Sequence, residues 1–143
     1  MSTDAPWRSL SDFDRAWQVI RDITDHKASQ TARFEGKIST FWEGTTLLWR
    51  ETGTLEQGGA QFAASRLSRW TAVVGGIDVA FEDGRFFHHL AACETSETRH
   101  DCAPDIYDLA YDFKDWPNWR LDHRVRGPRK DYAMSTRYIT LPD

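Results

Sequence analysis

Apolar residues recur along this chain with two different periods, and the change falls near His26. Before it, Leu10, Phe13, Trp17 and Ile20 are spaced by three and four, which puts them on one stripe of a helix. The spacing predicts an α-helix from about Ser11 to Asp25, capped by Ser9 or Ser11, with Asp12 and Asp14 near the positive end of its dipole. A helix with a single apolar face needs a partner surface, and a barrel mouth or sheet face is the expected one.

After His26 the period is 2, and turn dipeptides punctuate the chain. Gly58-Gly59, Gly75-Gly76 and Asp83-Gly84 tolerate the positive φ of two-residue hairpin turns, with Glu43-Gly44 and Pro128-Arg129 as weaker signals. The strands between them run approximately over 31–42, 46–57, 60–74, 77–82, 85–94, 97–113, 119–127 and 130–140. Eight short-linked antiparallel strands predict an up-and-down meander, and closure into a barrel would remove its edges. The expected organisation is a single domain over 1–143, mainly β, with residues 1–30 as helix and cap and 31–140 as the barrel.

A two-residue turn fixes which residues face each other, so the turns test the pattern. The Gly58-Gly59 turn pairs Leu55 with Phe62, Glu51 with Arg66, Trp49 with Ser68 and Leu47 with Trp70. The Gly75-Gly76 turn pairs Ala72 with Val79 and Trp70 with Phe81. The Asp83-Gly84 turn pairs Phe81 with Phe86, Val79 with His88 and Ile77 with Leu90. These turns keep one apolar face without a phase error. The Pro128-Arg129 turn pairs Val125 with Tyr132, His123 with Met134 and Trp119 with Tyr138. The connection near Thr95 and Ser96 leaves two phases open: a two-residue loop puts His100 and Cys102 outside, a three-residue loop puts them inside. Pro104 marks a candidate bulge before Asp105 and Tyr107.

Composition sharpens this picture. At 143 residues the chain can bury roughly two thirds of its unfolded surface. Seven Trp and eight Phe suit a wide interior or a cavity lining. A net charge of -4 argues against nucleic-acid binding, which draws on a concentrated positive field. No apolar run approaches the roughly 18 residues of a membrane helix, and the start lacks the order of a secretory signal, so a cytoplasmic protein is expected. Cys93 and Cys102 read as two reduced thiols rather than a disulfide framework.

The chemistry lies in polar residues on the apolar face. Glu51 opposite Arg66 is expected to form an inward ion pair, since either charge buried alone is costly. The pair can serve to fix register, or Glu51 can hold Arg66 so that its free donors meet an anionic or carbonyl ligand. His88 and His123 point inward as well, where a histidine is either a satisfied core residue or a titratable group shielded from water. Tyr107, Tyr111, Tyr132 and Tyr138 share that face. His88 and His89 fall on opposite faces, and His100-x-Cys102 has no third ligand at a recognised spacing, so no metal is expected. The basic run Arg124, Arg126, Arg129 and Lys130 reads mainly as solvated surface, with an anion site at the barrel mouth as the alternative.

Together these motifs resemble a known family. Trp49-x-Glu51-x-Gly53-x-Leu55, Phe62-x-Ala64-x-Arg66 and Trp70 are similar to a small family of bacteria and fungi known as a domain of unknown function. Asp83-Gly84-Arg85-x-Phe87-His88-x-Leu90, His100-x-Cys102-x-x-Asp105-x-Tyr107 and Gly127-Pro128-x-Lys130-Asp131-Tyr132 resemble the rest of its pattern, over about Phe34 to Tyr138. The resemblance implies a lipocalin-like small barrel with no established activity, and it adds Asp105, Tyr107 and Lys130 to the site candidates. Where the family carries Tyr this chain has Ser68, which would leave space inside the barrel.

The expected function is binding of a small, partly apolar molecule in the barrel, with Glu51, Arg66, His88, Asp105, Tyr107, His123, Lys130 and Tyr132 as its candidate contacts. A small-molecule enzyme of cyclase, isomerase or hydrolase type, with His and Glu51 as acid and base, is the alternative. Haem binding through His88 or His123 and a filled barrel acting as an interaction module follow. No cofactor, nucleic-acid or membrane partner is expected.

Overall fold

The computed structural model describes residues 9–141. The predicted N-terminal helix is replaced by a single 3-10 turn, Leu10–Phe13, followed by strand β1, Trp17–Asp25. The physical reason lies in β1 itself. Trp17, Val19 and Arg21 are buried at alternate positions, and Val19, Ile20, Ile23 and Thr24 are β-branched, which favours an extended backbone. Arg21 hid the alternation, because a charged residue occupies an inward position.

Nine further strands follow: β2 Gln30–Glu43, β3 Thr46–Gln57, β4 Ala60–Val73, β5 Gly76–Phe81, β6 Phe86–Ala91, β7 Thr95–Cys102, β8 Asp105–Asp112, β9 Trp119–Arg126 and β10 Asp131–Thr140. The barrel therefore has ten strands, not eight. One of the two extra strands is β1. The other arises because the predicted strand 97–113 breaks at Ala103 and Pro104 into β7 and β8, so Pro104 sits in a turn and not in a bulge.

The sheet is antiparallel throughout, in the order β6-β5-β4-β3-β2-β1-β10-β9-β8-β7. β1 and β10 pair from Trp17↔Thr140 to Asp25↔Tyr132, which joins the two ends of the strand sequence. The sheet edges are β6 and β7, consecutive in the chain but without a ladder between them. There Ala91 N–H donates to Ser96 Oγ at 3.2 Å.

The register follows the turns. Glu51↔Arg66, Trp49↔Ser68 and Leu47↔Trp70 are cross-strand neighbours, as are Val79↔His88 and Ile77↔Leu90. On the last hairpin His123↔Met134 and Trp119↔Tyr138 also agree. Two hairpins depart from the expected pairs. The first turn is made by Val74 and Gly75, one residue earlier than expected. Trp70 therefore faces Val79 and Ala72 faces Ile77, in place of Phe81 and Val79, a two-residue shift that keeps the same face inward. On the second, Phe81 and Phe86 are not partners. A bulge between Val79 and Ala80 sets Ala80 against Phe86 and inserts Phe87 as the extra residue. Phe86 is thereby turned to solvent, 54% exposed, and Phe87 packs against the core in its place.

The interior is divided along the barrel axis. One end is an aromatic plug in which Phe13 makes edge contacts with Phe113, Trp116 and Trp119 at 5.2–5.9 Å. Trp49 stacks on Trp70 at 4.2 Å, and Trp119 on Tyr138 at 3.9 Å. The 3-10 turn closes this end by inserting Phe13, which is fully buried. Polar groups occupy the other half. Gly36 and Gly53 face each other on β2 and β3 below the ring of Phe34, and a Cβ on either would stand 2.8 Å from Phe34 Cζ. A Cβ in that place would also run into the backbone of the paired strand, so both the ladder and the ring would have to shift.

Candidate functional site

Among the described residues, two charged side chains are buried in the barrel interior, Arg21 and Glu51. Arg21 holds the pair together. Its two terminal nitrogens donate to Glu51 Oε1 and Oε2 at 2.7 and 2.9 Å, and Nε donates to Thr136 Oγ1 at 2.8 Å. Its guanidinium also lies over the Phe34 ring, 5.4 Å from the centroid. Burial opposes both charges, yet the bidentate hydrogen bonds prevail: Arg21 is held above its usual range, and Glu51 below the usual carboxylate value with added help from Arg66.

The expected Glu51–Arg66 pair is therefore a secondary contact. The two residues are neighbours as the register requires, but Arg66 Nη2 stands 3.7 Å from Glu51 Oε2, and the Arg66 side chain is 58% exposed. Glu51 answers to Arg21 first. Sequence reasoning missed Arg21 because it placed that residue on a helix.

Above this pair lies a cavity of about 90 Å³, lined by Trp49, Arg66, Ser68, Phe87, His88 and His123, with Val79, Leu109 and Leu121 among its apolar walls. Ser68 contributes to that lining, where a larger side chain would intrude. His88 Nε2 and Tyr111 Oη are 2.8 Å apart. His88 Nδ1 and His123 Nε2 are buried without a hydrogen-bond partner among the described residues. Trp119 Nε1 shares that condition but does not line this cavity.

Both imidazoles are neutral at physiological pH. Burial, then repulsion from His123, His100 and Arg66, pushes His88 down to about 3. Burial, then the charges of Arg66 and Arg21, pushes His123 down to about 4. Burial raises Tyr111, so its hydroxyl keeps its proton.

Tyr107 joins the same group, its ring 5.7 Å from those of both Phe87 and His123. The inward phase holds for His100, whose ring meets Phe87 at 5.4 Å and Tyr107 at 5.9 Å. Cys102 follows on the same strand face but is exposed, opposite Asp105. Asp105 pairs with Lys130 at 3.2 Å, and its carboxylate fills the space where a Cβ on Gly127 would sit. Tyr132, half-buried, lies opposite Val125. The structure thus brings Arg66, His88, His123 and Tyr107 together with Phe87 and His100, and leaves Asp105 and Lys130 as a separate ion pair. Phe87 escaped the sequence reading because a bulge has no periodic signature.

A larger groove, about 840 Å³, runs over the outer face of β1 and β7–β10. Its charges answer one another: Arg99 with Asp108 at 2.8 Å, Arg124 with Asp131 at 2.7 Å, and Asp122 with Arg120 at 3.1 Å. Its size reflects an open surface, while the small interior cavity is lined by the two histidines with unmatched ring nitrogens. His89 also points away from the interior and pairs with Asp78 at 2.8 Å. No helix among the described residues is long and apolar enough to cross a membrane.

Residues 13–140 match the model of a family of unknown function, DUF6314. The chain belongs to that family. A search of curated proteins returned no match. Among solved structures the S-type phycobiliprotein lyase CPES from Guillardia theta is similar, with a TM-score of 0.63 at 8% sequence identity, covering 93% of this chain and 90% of that one. At that identity the likeness is one of fold, and it extends the lipocalin-like barrel to this member of DUF6314.

Proposed function

We propose that this DUF6314 barrel binds a small, partly apolar molecule, received in the half of the interior that contains Arg66, His88 and His123. The observation that carries the reading is the coincidence of two buried, unpartnered imidazole nitrogens with a cavity. A polar atom buried without a partner costs about 1–3 kcal/mol, and the cost disappears when a ligand supplies the missing hydrogen bond. The aromatic and aliphatic walls provide the apolar part of the contact, as small-molecule sites commonly do. Similarity of fold to a phycobiliprotein lyase supports a barrel of this kind handling a small molecule.

An enzyme using Glu51 as its base fits less well, because Arg21 occupies both carboxylate oxygens. Haem does not fit the residues present. His88 Nε2 is engaged by Tyr111, and about 90 Å³ has room for a single ring or short chain rather than a macrocycle. Native mass spectrometry of protein isolated from its own cells tests the reading. A small-molecule adduct released on denaturation is expected. A bare chain mass, together with unperturbed His88 and His123 resonances on screening a fragment mixture by NMR, would overturn it.

A further inference from the structure

We infer that the molecule bound in this cavity carries a carboxylate, and that Arg66 receives it. The inference rests on the binding reading above and adds the chemical class of the ligand. It starts from what Arg66 lacks. Glu51, its cross-strand neighbour, has both oxygens hydrogen-bonded to Arg21, and the Arg66 contact with Glu51 is 3.7 Å, too long for a hydrogen bond. The other inward carboxylate, Asp105, is taken by Lys130. Arg66 is left lining the cavity with a partly exposed guanidinium that donates no side-chain hydrogen bond among the described residues.

The two histidines cannot be its counter-charge. His88 and His123 are neutral, and Arg66 contributes to the depression of both. The anion paired with Arg66 among the described residues is Glu51, which Arg21 already holds through both oxygens. The partly exposed guanidinium therefore keeps its donors for water or for a ligand in the cavity it lines. A planar guanidinium matches a carboxylate through two parallel hydrogen bonds.

A second, independent observation selects an acceptor on the ligand. Tyr111 is buried and has His88 Nε2 as its hydrogen-bonding neighbour. If the phenol donates to Nε2, the imidazole proton sits on Nδ1, and one donor is left unpaired. The reverse assignment leaves both the phenol proton and the Nδ1 lone pair unpaired, which is the costlier choice. His88, which lines the same cavity as Arg66, therefore offers a free N–H. The apolar walls then take the remainder of the ligand.

The test uses a matched pair of single-ring probes, benzoate and benzyl alcohol, titrated into the full chain and followed by NMR at the cavity residues. The acid is expected to bind about tenfold more tightly than the alcohol, as for a gained charge-assisted contact. In Arg66→Met the preference should vanish while alcohol binding persists. Arg66→Lys, which keeps the charge but not the fork, should retain part of it. Because the side chain is more than half exposed, both variants should fold, and their melting temperatures check this. The carboxylate should also raise the His123 titration midpoint by screening Arg66. Equal binding of acid and alcohol at the cavity would overturn the carboxylate assignment and leave the binding reading standing. A preference that survives in Arg66→Met would overturn the role of Arg66. No binding of either probe would overturn both.

Discussion

Arg21 on β1 and Glu51 on β3 form a bidentate ion pair that spans β2, a strand to which neither belongs. The crossing is possible because β2 presents Gly36 between Phe34 and Ile38, so no side chain stands in the way. Breaking such a pair strands a buried charge. Arg21→Met is expected to lower stability by about 3–5 kcal/mol. Arg66→Met should cost no more than about 1 kcal/mol, since that side chain is largely solvated. Urea denaturation of the two variants provides the comparison. Similar losses in both would mean that Arg66, and not Arg21, sustains Glu51.

The fold was legible from the sequence where local chemistry dictates geometry. Gly58-Gly59 determined the neighbours of twelve β3 residues, because a two-residue turn leaves no freedom of phase. It was illegible where a residue serves the interior against its own type. Arg21 breaks the apolar alternation of β1, so the spacing of Leu10, Phe13 and Trp17 looked helical. The candidate site shows the same division. His88 and His123 could be placed from turns, whereas Phe87 could not, because it enters through a bulge, and the partner of Glu51 could not, because it lies two strands away.

Phe13 provides a second quantity to measure. It fills the closed end entirely, touching four aromatic rings. Phe13→Ala should destabilise the barrel by about 3–5 kcal/mol, the usual cost of emptying a buried aromatic site. A change in melting temperature too small to resolve would show that the 3-10 turn is not an integral part of the core.

Acid should weaken the fold in a definite window. In the unfolded chain a histidine binds a proton near pH 6.5, whereas folded His88 and His123 bind theirs only at about 3 and about 4. Between those limits the unfolded state holds more protons, so stability is complete above pH 6.5 and falls as the pH drops towards 4. Each histidine should remove about 1.4 kcal/mol per pH unit within its window. Urea midpoints at pH 7, 6 and 5 measure the decline, and NMR titration assigns it. Midpoints near 6.5 for both imidazoles would contradict their burial.

The Tyr111 hydroxyl should set the His88 tautomer. Nitrogen chemical shifts are expected to place the proton on Nδ1 in the native protein. Tyr111→Phe leaves Nε2 without its donor, at an expected cost of about 1–3 kcal/mol. A proton already on Nε2 in the native protein would reverse the direction of that hydrogen bond.

The unpaired junction between β6 and β7 gives the barrel a door. Everywhere else, parting two strands means breaking a ladder, but here the wall is held by side chains: Ser96 Oγ on Ala91 N–H, and the ring of Phe87 against those of His100 and Tyr107. A rotation of Phe87 would widen the route to the cavity without sacrificing a strand pairing. The amides of β6 and β7 should accordingly exchange with solvent faster than those of β1 and β10, where the two ends of the strand sequence are bolted together. A molecule trapped inside would then leave at a pace set by one aromatic clasp rather than by unfolding.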